Sequence, residues 1–128
     1  MTAGYSGTPL PRKLGIGDES RVAIVAAPAG FELDAKIVPL GADMDVILFF
    51  VVEARELERC FSELAALLTP AGGLWIAWPK QASAVPTDLR DGVVRRIGLA
   101  HGLVDNKVCA ITEVWSGLRF VRRLADRG

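Results

Sequence analysis

Residues 45–80 read DVILFFVVEARELERCFSELAALLTPAGGLWIAWPK, and they pass from one secondary-structure period to another and back. Residues 45–52 (DVILFFVV) form a nearly unbroken apolar run rich in β-branched and aromatic side chains, the pattern of a strand buried on both faces. Behind it Leu57, Cys60, Phe61, Leu64, Leu67 and Leu68 recur at helical spacing, so one face of a helix packs on the sheet. Pro70 is expected to stop that helix, because it disfavours helical geometry in Thr69 and lacks a backbone donor. Gly72 and Gly73 are then expected to turn the chain into a third strand at residues 74–78.

On the N-terminal side of this stretch, residues 21–27 (RVAIVAA) have the same buried-strand character and make the first core strand. Between the two runs, Pro28, Gly30, Pro39 and Gly41 leave space only for a turn of helix and a short strand near residues 36–40. Residues 1–17 read as an N-terminal arm, docked by Leu10, Leu14 and Ile16, and residues 18–128 as one domain. On the C-terminal side, Thr87 or Asp88 is expected to cap a helix carrying Leu89, Val93, Val94, Ile97 and Ala100, with Gly102 as its stop. Residues 107–115 and 118–124 flank Ser116 and Gly117, which read as a tight hairpin link. Strands separated by helices require parallel pairing through right-handed crossovers. The expected architecture is an α/β, Rossmann-like three-layer domain with a mostly parallel sheet and a C-terminal antiparallel hairpin.

Composition excludes several functions. The 128 residues suit one domain, and 15 basic residues balance 15 acidic ones, so no global field draws the chain to nucleic acid. The apolar run at residues 46–52 is far below the roughly 20 residues a spanning helix needs, and the N-terminus lacks a signal-peptide centre; a cytoplasmic location is expected. Cys60 and Cys109 show no CxxC spacing and read as buried thiols, so no metal site is expected. The mean hydropathy of +0.32 leads to the expectation of a homodimer or protein partner.

The order DVILFFVV, helix, LLTPAGGLWIAWPK, helix, VCAITEVWSGLRFVRR resembles the last three helix and strand units of the class I S-adenosylmethionine-dependent methyltransferases, a truncated form of that fold. The resemblance implies that the last strand is antiparallel and inserted between its two predecessors. The whole chain, from GYSGTPLPRKLGI through VPTDL to WSGL, also resembles a small bacterial family of unknown function, which implies no activity. In the methyltransferases the first strand ends in an acidic residue and a glycine-rich turn, and a second acidic residue holds the ribose hydroxyls. Here the turn reads VAAPAGFELD, with Gly30 the only close-approach glycine, Pro28 removing a donor and Phe31 following at once. Glu32 and Asp34 read as solvated, and weak or absent binding of S-adenosylmethionine follows; no cofactor is expected.

In open α/β sheets ligands sit beyond the carboxyl ends of the strands. That rim gathers the candidate ligand site: Gly30, Trp78, Lys80, Ser83 and Thr87. Trp78 offers a stacking surface, Lys80 a cation for an anionic or nucleotide-like ligand, and Gly30, Ser83 and Thr87 donors. The bland reading makes Trp78 core, Lys80 a solvated strand end, and Thr87 or Asp88 a cap. His101 reads as a helix-end residue with no nucleophile predictably near. No catalytic residue is assigned. The arginines at 119, 122, 123 and 127 give a basic edge that reads as protection of an edge strand, and nucleic-acid binding is disfavoured. Two readings remain: a noncatalytic binding or regulatory module, or a small-molecule site on the rim.

Overall fold

The computed structural model describes residues 8–127; residues 1–7 of the expected arm and Gly128 lie outside the described residues. A one-turn helix α1 (Leu10–Lys13) precedes strands β1 (Val22–Val25) and β2 (Met44–Phe50). Helix α2 (Ala54–Ala65), strand β3 (Leu68–Pro79), helix α3 (Asp91–Ala100), and strands β4 (Leu103–Ala110) and β5 (Trp115–Arg122) follow. The five strands lie in the order β1-β2-β3-β5-β4. β1, β2 and β3 are parallel, while β5 is antiparallel to both β3 and β4. The final strand is thus inserted between its two predecessors, as the resemblance implied.

The continuous apolar character of β2 and of residues 74–78 has a direct cause: both faces of these strands are covered. One face carries Ile47, Phe49, Leu74, Ile76, Leu118 and Phe120, buried beneath Leu57, Phe61 and Leu64 of α2 and Val94 and Ile97 of α3. The opposite face carries Val46, Leu48, Phe50, Trp75 and Ala77, and its cover is the arm and the loop after β1, through Leu14, Leu10, Ile16, Phe31 and Leu33. Leu14 is fully buried, and the Trp75 indole N–H donates to its carbonyl at 3.1 Å, which pins the arm to the sheet.

Five local expectations are corrected. α2 ends at Ala65, before Pro70, which lies inside β3 where the register jumps from Met44–Leu68 to Val46–Gly73. Such an irregularity is where a strand tolerates proline. Gly72 and Gly73 are not a turn: a Cβ on Gly72 would stand 2.8 Å from the Met44 carbonyl oxygen, and one on Gly73 would stand 2.4 Å from Arg119 Nε. They are glycines because other atoms occupy the side-chain positions.

The hairpin turn is not at Ser116 and Gly117, which both pair with β3 and β4, but at residues 111–114. There the Thr112 hydroxyl accepts from the amides of Val114 and Trp115 at 3.1 Å each. Gly117 faces Ile111 and Trp75, so a side chain there would collide with the core. The expected strand near residues 36–40 is reduced to one parallel bridge between Val22 and Ile37. Finally, neither Thr87 nor Asp88 caps α3, whose N-cap is Arg90 without a side-chain bond. Gly102 does follow α3 directly, with φ +90° beyond the His101 C-cap.

Candidate functional site

The carboxyl ends of β1, β2 and β3 open onto one rim, built from the loop after β1, the short link from β2 to α2, and the loop at residues 80–90. Hydrogen bonds between these segments set their shape. The Val51 amide donates to the Ala77 carbonyl at 2.9 Å, joining the ends of β2 and β3. The Thr87 hydroxyl donates to the Val52 carbonyl at 2.5 Å and accepts from the Leu89 amide at 3.0 Å. The Asp88 carboxylate accepts from the Ala54 amide at 2.8 Å, so it caps the first turn of α2 from across the rim rather than the helix that follows it in sequence.

Of the expected site residues, the structure brings Trp78 and Lys80 together. They line a cavity of about 430 Å³ with Gln81, Arg90, Gly92 and Ser116. Trp78 is only 5% exposed, and its body belongs to the core beneath the helices, so it offers an edge rather than a face. Among the described residues neither Lys80 nor Arg90 is paired with a carboxylate; Asp91, in the same cavity, pairs with Arg95 instead. Ser83 stands apart, its hydroxyl donating to the Lys80 carbonyl at 2.8 Å, and Thr87 is engaged as described. Gly30, at φ +83°, lines a separate cavity of about 560 Å³ with Leu10, Phe31, Glu32, Asp34 and Thr112. Arg90 and Ser116 were not legible as site residues, because only the folding back of residues 80–90 and the inserted β5 bring them to Lys80.

A third hollow, of about 300 Å³, lies between the ends of β1 and β2, where a dinucleotide-type sheet places its cofactor. Its lining includes Ala26, Pro28, Phe50, Val52 and Trp115, with Glu53 and Glu56 as its ionisable groups. Ala26 holds φ +60°, the left-handed conformation natural to glycine. Phe31 packs edge-on against Phe50 at 4.8 Å between ring centres, and Phe50 against Trp115 at 5.1 Å. Glu56 carries a lowered pKa through its hydrogen bond from Arg59.

His101 departs from expectation, for it does have a serine beside it. Its Nδ1 is 2.8 Å from Ser62 Oγ and its Nε2 is 3.0 Å from Glu58 Oε1, and the ring stacks on Phe61 at 5.2 Å. The order is that of nucleophile, base and orienting carboxylate. Ser62 sits inside α2, however, where its own amide serves the helix, and the group lines none of the cavities described above. The cluster acts as a clamp between α2 and the end of α3.

The arginines of β5 are also reassigned, because β5 is an interior strand rather than an edge. Arg122 donates to the carbonyls of Ala65, Leu68 and Thr69 at 2.9, 3.1 and 2.8 Å, closing the C-terminal end of α2. Arg119 lies across Gly73 on the face opposite the helices.

No protein-family model and no curated protein matches this sequence. Solved structures do. The magnesium protoporphyrin IX methyltransferase of Synechocystis with bound SAM is similar at 16% identity and a TM-score of 0.52, over 73% of this chain and 49% of that one. The ribosomal protein L11 methylase of Lactobacillus delbrueckii is similar at 13% identity and a TM-score of 0.50, over 82% and 59%. LepI, in complex with SAH and a substrate analogue, is similar at 7% identity and a TM-score of 0.54, over 89% and 39%. The chain spans about half the length of the solved structures it matches. At these identities the likeness concerns the fold alone, and that fold, a mixed five-stranded sheet with its last strand inserted antiparallel, is the one the class I S-adenosylmethionine-dependent methyltransferases use.

Proposed function

We propose that this chain is a noncatalytic binding module on a methyltransferase-type sheet, and that its ligand is a small anion held in the cavity between Lys80 and Arg90. The observation that carries the reading is the pair of cations in one cavity at the carboxyl end of β3, with no carboxylate paired with either among the described residues. Gln81 and Ser116 add neutral hydrogen-bonding groups, so an oxyanion gains both charge and donors there.

Methyl transfer is disfavoured by the turn after β1. That strand closes on Ile24 and Val25 with no carboxylate, Pro28 lacks a donor, and Phe31 is packed onto Phe50. Glu32 and Asp34 are exposed, on the loop that lines the Gly30 cavity.

A thermal-shift series against S-adenosylmethionine, S-adenosylhomocysteine, nucleotides and phosphorylated sugars tests both halves of the reading, because a ligand selective for the native state raises its apparent stability. The expected outcome is stabilisation by an anionic ligand that vanishes in Lys80→Ala and Arg90→Ala. Stabilisation by S-adenosylmethionine that survives both substitutions, or methyl transfer to any acceptor, overturns it. Stabilisation by none of the compounds removes the small-anion half and leaves a protein as the partner of the module.

A further inference from the structure

On the sheet face opposite the helices, the surface that carries Trp75 continues onto the β4–β5 hairpin, and there Lys107 and Arg119 are both cations. Arg119 is the register partner of Trp75 on one side and of Lys107 on the other, so all three share that face. Lys107 is exposed and Arg119 half-buried. The Arg119 guanidinium sits against Gly73, in space that a Cβ would fill. Its Nε is the one buried side-chain nitrogen or oxygen among the described residues with no hydrogen-bond partner, and its Nη1 reaches only the Asn106 amide oxygen, at 3.4 Å. No carboxylate is paired with Arg119 or Lys107 among the described residues.

A guanidinium resting on a sheet with an unmet donor and no counter-charge is a costly arrangement, and each such group in a folded protein calls for a partner. The surroundings reinforce this. Burial and the nearby Arg127 both hold the Arg119 pKa below its ordinary value. Cys109 lies two residues from Lys107 on the same face. In a chain with no net charge, Lys107 and Arg119 thus stand side by side on one face of one hairpin.

We propose that this face is a second anion site, in which the Arg119 guanidinium lifts from Gly73 to take a phosphoryl-type oxyanion together with the Lys107 ammonium and the Asn106 side-chain amide. A dianion suits it better than a carboxylate, because Lys107 and Arg119 stand side by side without a counter-charge. The fork of the guanidinium presents two parallel donors to such a group. The site is open and shallow, so it reads the charged end of a ligand and not its body. It is independent of the Lys80–Arg90 cavity, which lies at the carboxyl end of β3.

The test is a titration of the ¹⁵N-labelled protein with inorganic phosphate, set against chloride at matched ionic strength, following the Arg119 Nε–H and Asn106 side-chain signals directly. The expected result is saturable movement of both with phosphate alone, weakened about tenfold in the exposed-residue variant Lys107→Ala and unchanged in Lys80→Ala. Arg119→Met should abolish it; should that variant fail to fold, the wild-type signals and Lys107→Ala decide the matter. Equal movement with chloride, no movement of the Arg119 signal, or an unaltered response in Lys107→Ala overturns the proposal. Loss in Lys80→Ala assigns the phosphate to the rim cavity instead and likewise overturns it.

Discussion

Replacing Arg122 by methionine isolates the tie that holds the end of α2 to the start of β3. The apolar stem is retained, while three charge-assisted bonds to the carbonyls of Ala65, Leu68 and Thr69 are lost. A hydrogen bond from a charged donor contributes about 1.5–3 kcal/mol. Arg122 is only partly buried, so water recovers some of the orphaned carbonyls, and about 1 kcal/mol per bond is the realistic loss. The total is about 3 kcal/mol, a fall of about 10 °C in Tm for a domain of this size. Urea unfolding followed by the fluorescence of Trp75, Trp78 and Trp115 reads it directly, with the midpoint falling by about 2 M at an unchanged slope near 1.5 kcal/mol per M. Arg122→Lys should recover only part of the loss, since an ammonium keeps the charge at the helix end without the planar fork. A loss below about 1 kcal/mol in Arg122→Met would refute the reasoning.

Gly98→Ala places a Cβ 2.0 Å from a carbon of the buried Phe120 ring, so α3 must shift from the sheet; a loss of about 3 kcal/mol in the same unfolding assay is expected. Asp88→Ala removes the cap that α2 receives from across the rim and should cost about 1 kcal/mol, with Asp88→Asn close to wild type in thermal unfolding. Burial raises the pKa of both Cys60 and Cys109, leaving less thiolate at a given pH than in a free cysteine. Both should therefore alkylate with iodoacetamide at pH 8 more slowly in the native protein than in urea, and equal rates would contradict the burial.

The parts of the fold that were legible in the sequence are those in which one segment carries its own signal. β2 and the second half of β3 advertise burial on both faces by unbroken apolar runs, and α2 its single buried face by the spacing of Leu57, Phe61 and Leu64. The misread parts depend on what another segment brings. Gly73 and Gly117 look like turn residues, yet each is a glycine because Arg119 in one case, and Ile111 and Trp75 in the other, occupy the place of its side chain. Asp88 has the look of a cap and is one, but for a helix that begins more than thirty residues earlier in the chain. The Ser62–His101 contact joins two helices, and no local pattern announces it. For the candidate site, the rim rule brought Trp78 and Lys80 to one place, whereas Ser83 and Thr87 offered plausible chemistry and the structure uses their hydroxyls to hold backbone.

That use of Ser83 and Thr87 bears on how a rim ligand would be held. Lys80 and Arg90 stand at the two ends of one loop, and both ends are fixed. At one end the Lys80 amide donates to the Val114 carbonyl at 2.8 Å, fastening the loop to the turn before β5. At the other, Thr87 and Asp88 fasten it to the end of β2 and the start of α2, and buried Leu89 anchors it to the core immediately before Arg90. The separation of the two cations is therefore set by the sheet and α2 rather than by the loop's own flexibility, and the ordering cost that a mobile loop would impose on binding is met when the chain folds. The polar groups that looked most like ligand donors build the frame of the rim. The turn after β1 is braced instead by Phe31, packed edge to face on Phe50. The proposed anion would therefore meet a fixed frame at the end of β3, on a sheet of the methyltransferase type.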